Sequence, residues 1–161
     1  IKGQVEFNIY GPLEDKKYWR ECQRIIQCLP DNITVQYKGL LLHEKVEYAF
    51  NQHHLFLFPT LGENYGHVIM EALVSGCPVL ISDQTFWRDL QQKGVGWDLP
   101  LERPELFIQV LQQCVDMDQC EFEAISSRAR QYGIECSKGE DTIEANRNLF
   151  KYAFAKNSFR Q

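Results

Sequence analysis

Residues 55–82, LFLFPTLGENYGHVIMEALVSGCPVLIS, constrain the fold of this chain more than any other stretch. An unbroken apolar run, Leu55 to Phe58, meets Pro59 and a polar loop containing Gly62 and Gly66. An amphipathic segment follows, then Gly76, Cys77 and Pro78, then a second apolar run from Val79 to Ile81. The order is strand, loop, helix, strand. Apolar runs without alternation suit strands covered on both faces, as in parallel sheets between helix layers. In such sheets ligands bind beyond the carboxyl ends of the strands, where the 59–67 loop falls.

The rest of the chain continues that alternation. Val5 to Tyr10 reads as a strand ended by Gly11-Pro12. Glu14 to Leu29 carries Tyr18, Cys22, Ile25, Ile26 and Leu29 at helical spacing, and Pro30 stops it. Ile33 to Tyr37 is a second strand, and a short helix runs from about Glu44 to Asn51. Leu55 to Phe58 and Pro78 to Ser82 are the third and fourth strands, flanking a helix from about Tyr65 to Ser75. Phe86 to Gln92 is expected as a short helix and Val95 to Asp98 as a fifth strand. Helices near 104–116, 120–132 and 140–156 close the chain. This alternation implies right-handed crossovers and an α/β, Rossmann-like, doubly wound parallel sheet. No repeat or linker divides the 161 residues, so a single domain is expected. That length buries roughly 70% of the unfolded surface.

A net charge of −5 argues against broad contact with nucleic acid, which needs clustered Lys and Arg. Lys16-Lys17 sits among Glu14, Asp15 and Glu21 and reads as a solvated helix face. The six cysteines form no CxxC pair and no zinc-ligand spacing, which fits reduced thiols in the cytoplasm better than a disulfide framework. His43, His53 and His54 likewise show no ligand spacing. No apolar run reaches transmembrane length and the start lacks a signal sequence, so a soluble piece is expected. Any attachment to the cytoplasmic face of a membrane would lie outside it.

The chemistry concentrates around the central helix. A helix opening near Tyr65-Gly66 presents unpaired N–H groups and partial positive charge, a site for phosphate or a developing anion. Val68, Ile69, Ala72 and Leu73 form its buried stripe, whereas His67 and Glu71 project from its flank. Glu63, in the loop, can point into the same cleft. Two such carboxylates can accept hydrogen bonds from several hydroxyls of one extended, sugar-containing ligand. Taken alone, two Glu residues eight apart are more often solvated or capping than ligand-binding.

The surrounding residues change those odds. The run from Pro59 to Leu73, with Glu63 and Glu71, followed by Ser75-Gly76-Cys77-Pro78-Val79 and Ser82-Asp83, resembles the E-x7-E signature of retaining GT-B glycosyltransferases. More narrowly, it is similar to the "group 1", family 4 class. Phe7-Asn8-Ile9-Tyr10-Gly11-Pro12 resembles that family's strand ending in G-x-G-P, and Gly94 to Leu99 its short G-x-L-V-like strand. The likeness covers about residues 5–132 and implies the C-terminal, nucleotide-sugar-binding half of a GT-B fold. It assigns Glu63 to the donor sugar hydroxyls and Glu71 to the ribose. The N–H groups of Tyr65, Gly66 and His67 would face the sugar–phosphate region. Lys38-Gly39-Leu40 would lie against the base, and Gly11 would allow the first loop to approach the nucleotide. His67 could donate to a phosphate or to Glu71, or be purely structural. The resemblance further implies retention by a front-face route, with no metal or other cofactor.

The sequence also departs from that family. Its first strand, ending in G-R and followed by Lys-Gly, has no counterpart before Val5. The N-terminal acceptor domain is absent too, so the chain reads as a piece of a larger enzyme, inactive alone. In a sheet ordered 3-2-1-4-5-6 the missing strand is central. The gap is expected to close by pairing of the flanking strands or by self-association through exposed edges. Gln84 to Asp89 replaces a Gly-Gly turn leading to Glu, and Trp87 is expected to pack against neighbouring helices. A second reading is a non-catalytic nucleotide-sugar-binding or scaffold module, and a third is a GT-B-fold epimerase, although those lack this E-x7-E context.

Overall fold

Alternating polar and apolar residues shape the first part of the chain. Val5, Phe7 and Ile9 share one face of a strand, as do Ile33, Val35 and Tyr37, with Glu6, Asn8, Thr34, Gln36 and Lys38 on the other. In a computed structural model, which describes residues 1–138, these are β1 (Val5–Tyr10) and β2 (Ile33–Gly39). They pair in parallel, with Phe7 opposite Val35 and Ile9 opposite Tyr37, so the apolar faces coincide. Helix α1 (Lys16–Ile26) connects them. Asp15 starts it, its carboxylate accepting from the N–H groups of Lys17 (2.8 Å) and Tyr18 (3.0 Å). Trp19 of α1 lies against Tyr37 of β2, ring centroids 5.2 Å apart.

A one-turn 3-10 helix (His43–Lys45) and α2 (Val46–Asn51) lead to the second sheet. Here β3 (Phe56–Phe58), β4 (Val79–Ser82) and β5 (Gly96–Leu99) are all parallel, in the order β3-β4-β5. Every residue of β4 is buried, as its unbroken apolar run requires. On one face Val79 and Ile81 meet Ile69, Ala72 and Leu73 of α3 (His67–Val74) together with Ala129 of α6 (Gln119–Lys138). On the other face Leu80 and Trp97 meet Val110 of α5 (Pro104–Asp116) and Ile125 of α6. Helix α6 approaches α3 at Gly133, where an added Cβ would stand 2.5 Å from the Val74 nitrogen. Only a residue without a side chain fits there.

The α/β, Rossmann-like reading holds, with strands and helices alternating and every paired strand parallel. Two expectations are corrected. The helix expected over 86–92 shrinks to α4 (Leu90–Lys93). The Thr85 hydroxyl takes the N–H of Trp87 (3.2 Å), and Asp89 adopts a left-handed conformation (φ 58°), so the chain turns before it can coil. Of the two expected ways of closing the gap, pairing of the flanking strands does not form, since β1 and β3 belong to separate sheets; association with another copy is the other.

The reason lies in what β1 touches. Its approach is anchored on α5, with Lys2 N–H donating to Gln112 (2.7 Å), and its Asn8 amide meets His53 ahead of β3 (3.0 Å). A groove of about 1080 Å³ remains, lined by Glu6, Asn8 and Gln36 on one side and Leu57, Trp97 and Phe122 on the other. Asn8 Oδ1 is buried there without a hydrogen-bond partner among the described residues. The helix expected at 140–156 lies outside the described residues.

Candidate functional site

Loop 59–66 leaves the carboxyl end of β3, turns on itself and opens α3. Thr60 closes the first turn, its hydroxyl donating to the Gly62 carbonyl (2.9 Å) and accepting from the Gly62 N–H (3.2 Å). Gly66 ends the loop in the left-handed region (φ 74°), a conformation that disfavours any residue with a Cβ. Space is tight as well: an added Cβ would stand 2.9 Å from Ile69 Cδ1, a side-chain tip that would have to shift. The Gly66 carbonyl receives the first helical bonds, from Ile69 (2.9 Å) and Met70 (3.2 Å). The N–H groups of His67 and Val68 precede them and have no partner within the helix.

Among the predicted site residues, Tyr65, Gly66 and His67 form this helix start, and the rings of Tyr65 and His67 lie 4.8 Å apart. Glu63 is half-buried in the loop and makes no side-chain hydrogen bond or ion pair among the described residues. Glu71 lies one turn into α3 with its side chain 33% exposed, so the carboxylate is accessible. The imidazole beside it is that of His43 rather than His67: His43 Nδ1 stands 3.7 Å from Glu71 Oε1. The 3-10 turn after β2 delivers that imidazole to α3, joining the two sheets at the site.

Gly11 and Gly39 meet where β1 and β2 end, the N–H of Gly11 donating to the carbonyl of Gly39 (3.0 Å). The Tyr37 hydroxyl donates to the Gly11 carbonyl (2.6 Å), which steadies that corner. Leu40 is exposed beside it. Lys38 turns away, its ammonium donating to Gln36 (2.6 Å) along β2, and its side chain lines the groove between the sheets.

The sequence alone shows no ligand spacing at His43, and it favours packing over a role in donor choice for Trp87. Trp87 does pack on Tyr132 of α6 (ring centroids 6.2 Å), but its indole N–H also donates to the Tyr65 carbonyl (2.8 Å). The signal for Trp87 was the departure from Gly-Gly at that position. His43 had none, because its placement depends on the turn after β2. Among the described residues no cluster of three His, Cys, Asp or Glu side chains could hold a metal ion, and no helix is long and apolar enough to cross a membrane.

The arrangement offers bare N–H groups at a helix start, two accessible carboxylates within one turn of it, and a glycine-rich corner opposite. It suits an anionic, hydroxyl-rich ligand. Residues 1–116 match a protein-family model described as "Glycosyl transferases group 1". No curated protein matches the chain significantly.

Proposed function

Because this chain belongs to the group 1 glycosyl transferases, we propose that it is their donor-binding half, holding a nucleotide-diphosphate sugar for transfer with retention and without a metal. The observation that carries this reading is the start of α3, where left-handed Gly66 bares N–H groups between loop Glu63 and helical Glu71. In this reading the diphosphate rests on the N–H groups of Gly66, His67 and Val68. Glu71 accepts from the ribose hydroxyls and Glu63 from the sugar hydroxyls near the reacting carbon. Lys38, Gly39 and Leu40 border the base, Lys38 through its backbone, and Gly11 allows the nucleotide close approach.

Charge grows on the leaving diphosphate as the bond to the anomeric carbon breaks. Fixed N–H dipoles already aimed at that charge stabilise it without reorganising, which is often the largest catalytic term. No pair of carboxylates flanking the bond is needed, unlike in a retaining hydrolase. The acceptor would be bound by an N-terminal domain of the full-length enzyme, in polysaccharide or glycoconjugate synthesis on the cytoplasmic side.

The test uses full-length enzyme, screened by calorimetry against UDP, GDP and ADP and by transfer from the matching sugar nucleotides. A hydrogen bond to a charged acceptor contributes roughly 1.5–3 kcal/mol, so Glu71→Ala should weaken nucleoside diphosphate binding roughly ten- to hundredfold. Glu63→Ala should instead lower kcat and leave diphosphate affinity nearly unchanged. Equal loss of diphosphate affinity in both variants would remove this division of roles.

A further inference from the structure

We propose that Trp87 is a positioning residue for donor binding, acting on the helix start through the carbonyl of Tyr65; this rests on the donor-binding reading above. Trp87 is 7% exposed and is fixed on three sides. Its backbone N–H is tied to the Thr85 hydroxyl (3.2 Å), its ring meets Tyr132 of α6, and its indole N–H donates to the Tyr65 carbonyl (2.8 Å).

The consequence follows from peptide geometry. The bond between Tyr65 and Gly66 is planar and trans, so its C=O and N–H point in opposite directions. With the carbonyl drawn to a buried indole, the Gly66 N–H points away from Trp87. That is the direction from which an anion would approach α3. A second tie holds the other end of the loop, where the Ser82 hydroxyl donates to the Thr60 carbonyl (2.5 Å). The tethers come from the last residue of β4 and from the segment that follows it. The loop after β3 is thus clamped by side chains of the neighbouring crossover, and its free N–H groups are oriented before any ligand arrives. Without the indole N–H, the Tyr65–Gly66 peptide can rotate and present its carbonyl to the ligand, and a carbonyl repels phosphate.

Two measurements on full-length enzyme test this, comparing wild type with Trp87→Phe, which keeps an aromatic ring and loses the N–H. The first is amide hydrogen exchange without ligand at Ile69 and Met70, both bonded to the Gly66 carbonyl. Loss of one hydrogen bond should speed that exchange by roughly tenfold while leaving β4 unchanged. The second is the affinity for the nucleoside diphosphate that wild type binds, which should fall by roughly tenfold, with a matching rise in KM for the donor and a smaller change in kcat. Unchanged exchange at Ile69 and Met70 overturns the inference, as does faster exchange with undiminished affinity. If exchange rises but wild type binds none of UDP, GDP and ADP, the donor reading fails. The tether to the loop would then stand without its role in binding. Ser82→Ala is the second variant, expected to loosen Gly62 more than Ile69 and so to separate the two tethers.

Discussion

Cys77 follows Gly76 in the turn between α3 and β4 and is 1% exposed. Burial pushes its thiol from the ordinary 9.0 up to about 12, and that of Cys114 up to about 11. The sign of the pH effect follows. Folded protein keeps both protons at pH 10, whereas unfolded protein, with thiols near 9, has released most of them. The unfolded state binds fewer protons, so stability falls as pH rises from about 9 towards 11 and 12. Urea midpoints measured at pH 8, 9.5 and 10.5 should decline, and Cys77→Ala, though less stable at pH 8, should decline less steeply. Parallel slopes would show that the buried thiol does not set the alkaline limit. All six cysteines are free, as their spacing suggested. The carboxylates Glu63 and Glu71 could be picked out because a strand, a glycine and a helix bracket them in sequence. His43 could not: it reaches the site across a turn whose direction depends on tertiary packing, and it belongs to no local pattern. Trp87 stood out only as a departure from Gly-Gly, which does not say that its indole would meet the Tyr65 carbonyl.

At the scale of elements, α3 is the part on which the site depends, and α6 is what seats it. Gly133 gives α6 a bare backbone against Leu73 and Val74, and the Ser126 hydroxyl donates to the Gly76 carbonyl just past the end of α3 (2.6 Å). Gly133→Ala sets two effects against each other. Alanine favours a helix by about 1 kcal/mol over glycine. Its methyl group, however, would stand 2.5 Å from the Val74 nitrogen and 2.7 Å from the Leu73 carbonyl carbon, and backbone cannot yield as a side-chain tip does. Overpacking of this kind costs about 1–3 kcal/mol, so net destabilisation is expected, visible as a lower urea midpoint at an unchanged slope. A midpoint at or above wild type would mean that α6 can slide without cost. Element order was clear from the alternation of apolar runs and breakers. Boundaries were less so: α6 runs to Lys138 rather than ending near 132, and α4 starts late because Asp89 turns left-handed.

Across the whole molecule the burial is uneven. Among the described residues the buried hydrophobic side chains run from Ile69 to Ala129, while α1 buries none and Tyr18 and Ile25 are two-thirds exposed. The β1–α1–β2 unit therefore has little apolar contact to oppose local opening. In native-state hydrogen exchange, amides of β1 and β2 should exchange at a lower free energy than those of β4 and β5. A single shared value for all four strands would refute a divided stability. The sequence carried a hint of this division, because β1 and β2 alternate like strands covered on one face whereas β4 does not. Reading all five as one sheet overlooked that difference.

The proposed ligand would touch both halves, with the glycine corner of β1 and β2 on one side and α3 on the other. His43 and Glu71 already reach across that divide, 3.7 Å apart. A nucleotide lodged there would rivet together two bodies that no shared strand stitches. Occupancy and internal stiffness would then be one equilibrium, and whatever tightens the grip would also steady the looser half.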